Sequence, residues 1–160
     1  MVKTAGNPIS TILVAGLVAG TLDITAAFIQ WALRGVGPTR ILKGIASGLL
    51  GKSALHGDGA IAALGLGLHF LIAISAAAVF YLASRQLPFM RHRPVVAGAL
   101  YGIAVYFFMY FIVIPLSRTS TRYTPALIAI AILIHIFCIG LPISLIVARL
   151  SPERAEADTG

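Results

Sequence analysis

Four long runs of apolar residues with almost no charge, at residues 10–33, 59–83, 95–116 and 125–148, constrain this chain more than any other feature. An α-helix rises 1.5 Å per residue, so about 20 apolar residues carry it across the hydrocarbon core of a bilayer. With 59% of its 160 residues hydrophobic and only 11% charged, the chain lies well outside the composition of an ordinary soluble domain. The links between the runs are short, and none has room for a soluble catalytic domain. The sequence therefore reads as an all-α polytopic membrane protein: a single four-transmembrane-helix bundle over residues 1–150, with a disordered polar tail over residues 151–160.

The first run holds a charge in an unfavourable place. Asp23 falls near the middle of residues 10–33 and is their one ionisable side chain. Insertion scales put the cost of an ionised carboxylate at that depth at about 2.5–3.5 kcal/mol or more, so an intramembrane Asp is expected to face other helices and to have a partner. Gly16, Ala19, Gly20, Asp23, Ala26, Ala27 and Gln30 recur at spacings of three and four, forming one small and polar stripe. Small residues allow helices to approach closely in lipid, which turns Asp23 towards protein. Trp31, near the end of the run, suits the headgroup layer.

The formal charge of +7 would suggest nucleic acid as a partner in a soluble protein. In a chain of this hydropathy, basic residues flank membrane spans and meet anionic lipid headgroups, so the bilayer is the expected partner and nucleic acid is not. A homo-oligomer or a larger membrane complex is compatible with the pattern. Cys138 is the single cysteine, which excludes an intrachain disulfide. A cleaved signal peptide is not expected, because the first apolar run is too long for one and only Lys3 charges its front. If the helices alternate, Lys3, Arg85, Arg91, Arg93, Arg149 and Arg154 lie on one side, and Arg34, Arg40, Lys43, Lys52, Arg118 and Arg122 on the other. The count ties; the dense cluster from Arg85 to Arg93 tilts the expectation to both termini inside.

Between the first two runs, residues 38–51 place Ile41, Leu42, Ile45 and Leu49 on one helical face and Arg40, Lys43 and Ser47 largely off it. Such a segment is too short to span and reads as an interfacial helix, with a re-entrant segment as the alternative. Within it, ASGLLGKS, ending in Gly51, Lys52 and Ser53, matches a relaxed phosphate-loop pattern. That motif works as a strand-to-helix turn of an α/β nucleotide domain, which this chain does not contain. His56 and Asp58 in the following HGDG read as a turn before a helix.

The second run carries His69, with Gly65 among the small residues at helical spacing around it. The third holds Gly98, Gly102, Tyr106 and Tyr110 in one i, i+4 row. Gly16, Gly20, Gly65, Gly98 and Gly102 are accordingly expected at helix contacts. The fourth opens at Thr124-Pro125, a capping residue followed by a proline suited to a first turn. Pro142 cannot donate to the carbonyl of Cys138, so a kink is expected one turn beyond His135.

Counting residues from the ends of the runs places Asp23, His69, Tyr106 and His135 at about one depth, to within roughly a turn of helix. This buried polar cluster is the strongest functional signal in the chain. It admits a proton relay or small-solute transport site built on Asp23, the histidines and Tyr106. It admits a b-type haem held by His69 and His135, or a site of two histidines and one carboxylate for another metal. It also admits a purely structural set of hydrogen bonds. No cofactor or metal is expected, with haem b the alternative; small residues around His69 argue against the separation of helices that a haem requires. No nucleophile with an adjacent base is visible, Ser47, Ser53 and Ser75 included, so the chain is not expected to be an enzyme.

GLGLHF at His69, VVAGALYG opening the third run, Ile114-Pro115-Leu116 at its end and His135 in the fourth together resemble the YagU-like group of small bacterial inner-membrane proteins. The resemblance covers about residues 60–150. It implies a multi-pass protein of the bacterial inner (plasma) membrane with four helices, and it transfers no catalytic or binding residue.

Overall fold

A computed structural model describes residues 7–116 and 124–151, and the described residues are helical throughout, without a strand. Eight α-helical segments occur among them. The first, α1 (Pro8–Ala32), starts where Asn7 accepts a hydrogen bond from the Ile9 amide at 3.0 Å and Pro8 occupies the first turn. It ends in a turn through Gly35, whose φ of 73° is open to glycine at little steric cost. The amphipathic α2 (Pro38–Leu50) follows and closes at Gly51, with φ 85°. Lys52–His56 form a single stretch of 3₁₀ helix. The glycine, lysine and serine of the phosphate-loop match thus end one helix and begin another, with no strand before them.

Asp58 caps α3 (Gly59–Gln86), accepting from the amides of Ala60 at 3.0 Å and Ile61 at 3.4 Å. The short α4 (Phe89–His92) leads into α5 (Pro94–Phe108), which continues through a π-helical turn, Met109–Val113, into α6 (Ile114–Leu116). Thr124 caps α7 (Pro125–Ile134) through the Leu127 amide, as its sequence suggests. A second π-helical segment, His135–Gly140, joins α7 to α8 (Leu141–Leu150). Four helices are long and apolar enough to cross a membrane: Pro8–Ala32, Gly59–Gln86, Pro94–Val113 and Pro125–Leu150. The Lys3, Arg118, Arg122 and Arg154 side chains and nearly all of the polar tail lie outside the described residues.

Both π turns have the same position relative to a proline. Ile114 and Leu141 each donate to the carbonyl five residues back, Met109 and Ile136, and each immediately precedes a proline, Pro115 or Pro142. A proline ring lacks the amide hydrogen and crowds the carbonyl four residues earlier. Widening the preceding turn by one residue relieves that crowding without ending the helix. The disturbance expected at Pro142 is therefore a π bulge that contains His135 and Cys138.

Packing sets the order of the long helices. α1 lies between α3 on one side and the π segment with α8 on the other, and α5 packs along the fourth long helix. The second and third meet through side chains, where the Tyr101 hydroxyl donates to the Ala76 carbonyl at 2.7 Å and the Phe80 and Tyr101 rings meet edge to face. The core between them is made of small and branched residues, among them Ala15, Ala19, Ala77, Phe80, Ile143 and Val147. Large apolar side chains point outward instead: Leu71, Phe111 and Phe137 are each 60% or more exposed. A water-soluble fold buries such residues, whereas a bilayer-embedded one turns them out.

Candidate functional site

Glycines bring the helices close enough to position everything else. A Cβ added at Gly16 would lie 2.6 Å from the Ile74 Cα, and one at Gly20 would lie 2.9 Å from the Phe70 ring, so α1 and α3 meet along that pair. On the other side of the bundle, a Cβ at Gly102 would sit 2.6 Å from the His135 carbonyl oxygen, and one at Gly98 would collide with the Ser144 hydroxyl. Gly140 fits into the same crossing, against the Gly98 carbonyl and the Gly102 backbone. Gly65 receives the Leu42 backbone of α2, not another long helix. Gly140 is absent from the sequence-based set. Its signal in the sequence is the i, i+4 row of small residues Gly140, Ser144 and Ala148.

These contacts fix where the polar side chains fall. His69 on α3 reaches across the Gly20 crossing, its Nε2 2.8 Å from the Gly20 carbonyl oxygen. A carbonyl only accepts, so Nε2 carries the hydrogen and Nδ1 is the acceptor of the neutral ring. His135 is held locally: Nδ1 donates to the Ala131 carbonyl one turn earlier at 2.8 Å, which leaves Nε2 as its acceptor. Its ring meets that of Tyr106 edge on, with centroids 5.6 Å apart, and Tyr106 in turn stacks on Tyr110 at 5.9 Å. Tyr106 is only 5% exposed.

Asp23 lies one turn past Gly20 on α1 and is half-buried. α1, which carries it, packs against the π segment of the fourth long helix. Among the described residues Asp23 makes no hydrogen bond and no ion pair. The structure thus brings His135 and Tyr106 into contact and docks His69 on the backbone of the helix that carries Asp23. It does not join the four side chains in one hydrogen-bonded set. Counting depth along helices could not say that both imidazoles would choose main-chain carbonyls.

The arrangement bears on the ligands that the sequence admits. A haem held by two histidines would need both Nε2 atoms to face one space, yet Nε2 of His69 is on the Gly20 carbonyl, and α1 lies between α3 and the π segment that carries His135. Those residues do not fit a haem as they stand. Among the described residues no three His, Cys, Asp or Glu side chains converge as a metal site of that kind would require. Comparison of the chain with models of protein families, with curated proteins and with solved structures finds no match.

Proposed function

We propose that the chain is a multi-pass protein of the bacterial inner membrane, non-enzymatic, and that Asp23 is the exchange site of a proton pathway between its first and fourth spans. The observation that carries this reading is the state of Asp23. A carboxylate placed mid-helix for packing alone would be expected to bridge to a neighbour, because an unpaired one in hydrocarbon costs at least about 2.5–3.5 kcal/mol. Asp23 has no such bridge among the described residues and is half open. The histidines divide the remaining work. His69 pins α3 to α1 through Gly20, while His135, next to Tyr106 in the π segment, keeps Nε2 turned from its backbone bond.

Other features support the membrane setting. α2 seats its Leu42 backbone against the flank of α3 at Gly65, six residues or about 9 Å along the helix from Gly59, a depth suited to an amphipathic helix at the boundary of headgroups and acyl chains. Arg34 folds back over the end of α1, donating to the Gln30 carbonyl at 2.7 Å and lying 5.7 Å over the Trp31 ring, an anchor typical of an interface. The resemblance to the YagU-like group agrees with the four-helix inner-membrane setting.

The test is proton flux into liposomes containing the purified chain, driven by a potassium diffusion potential and read with an entrapped pH dye. The wild type is expected to conduct above empty liposomes, Asp23→Asn to lose that flux, and Asp23→Glu to retain part of it. Equal flux in the wild type and Asp23→Asn would contradict the proposal.

A further inference from the structure

The end of the bundle that carries the start of α1, the connection from α3 to α5 and the end of α8 holds polar atoms that the rest of the fold leaves unused. Thr11 is only 1% exposed and its hydroxyl has no hydrogen-bond partner. The Nε of Arg91 and the hydroxyl of Ser151 are likewise enclosed and unpartnered. Arg91 belongs to α4, which packs against both α5 and α8, and its neighbour Met90 is tucked against the core. Arg91 as a whole is only half-buried, although its Nε is enclosed. Arg85, Arg93 and Arg149 are exposed at the same end. The described carboxylates, Asp23 and Asp58, lie elsewhere: one mid-helix, the other capping α3 at the opposite end.

We propose that this end is a phosphate-binding site, with Arg91 as its fork and Thr11 as its buried hydroxyl, and that the phosphate belongs to the headgroup of an anionic phospholipid. The inference rests on the membrane reading given above but not on proton conduction. A guanidinium matches phosphate oxygens two at a time, and a hydroxyl adds a neutral donor beneath them. Arg85, Arg93 and Arg149 supply the surrounding field, which favours an anion and adds little geometric selection. Buried polar atoms without partners are the mark of an absent ligand or ordered solvent, and here they belong to the end of the bundle that carries the densest basic cluster of the chain.

Thermal unfolding of the full chain in neutral detergent, titrated with phosphatidylglycerol, with phosphatidylcholine or with inorganic phosphate, tests the site. Phosphatidylglycerol is expected to raise the midpoint saturably and phosphatidylcholine to leave it unchanged. Arg91→Gln should weaken the apparent affinity for phosphatidylglycerol roughly ten-fold, the effect of losing one charge-assisted hydrogen bond. Thr11→Val keeps the shape of the side chain and removes an unpartnered hydroxyl, so it should unfold at or above the wild-type temperature without lipid while binding phosphatidylglycerol more weakly. Arg34→Gln, at the opposite end, should bind as the wild type does. A shift produced by inorganic phosphate alone, with the same dependence on Arg91, would support the site and assign it to soluble phosphate. Equal shifts with both lipids, or equal affinities in the wild type, Arg91→Gln and Thr11→Val, would overturn the site. Release of the chain from membranes by alkaline washing would instead overturn the membrane reading beneath it.

Discussion

His69 shows how one polar side chain can serve packing and still look like a site. Its Nε2 donates to the Gly20 carbonyl across the glycine-lined contact of α1 and α3, where Gly20 leaves no side chain in the way. A polar contact between helices in lipid contributes about 0.6–2 kcal/mol. His69→Phe is therefore expected to lower the thermal midpoint in detergent while leaving proton flux measurable, because the ring is a clamp on the neighbouring backbone. Unchanged stability with lost flux would reverse that assignment and make His69 part of the pathway. Asp23 is the opposite case: removing its charge by Asp23→Asn takes nothing from the hydrogen bonds of the described residues, so its effect should fall on flux and not on folding.

Among the elements, the crossing of α5 with the fourth long helix is the most exacting. Gly98, Gly102 and Gly140 put backbone against backbone, and the His135 carbonyl lies where a side chain on Gly102 would begin. Gly102→Leu should force the helices apart, a cost of about 1–3 kcal/mol or more for overpacking, and should disturb the edge contact of His135 with Tyr106. Near-wild-type unfolding in detergent would mean that this contact does not hold the bundle together. The glycine row was legible in the sequence because spacing of four on a helix implies one face. The partner of each glycine was not: Gly65 faces α2, and only the folded chain shows it. Pro142 announced a broken helix, but spacing alone does not distinguish a kink from a π turn. The recurrence of the same turn before Pro115 supplies the cause.

At the scale of the molecule, hydropathy made the four long helices readable to within a few residues, because twenty apolar residues in a row leave few alternatives. Their order in space was not readable, since nothing in the spacing of α1 says that it will lie between α3 and the fourth long helix. That order keeps His69 and His135 on different neighbours. The account therefore turns on a protonatable carboxyl in an apolar setting. Treating membranes that contain the full chain with dicyclohexylcarbodiimide, an apolar reagent for protonated carboxyls, and mapping the adducts by mass spectrometry tests it directly. The account predicts an adduct on Asp23 that a water-soluble carbodiimide does not form, with no such preference at Asp58. An unmodified Asp23, or one modified equally by both reagents, would contradict it.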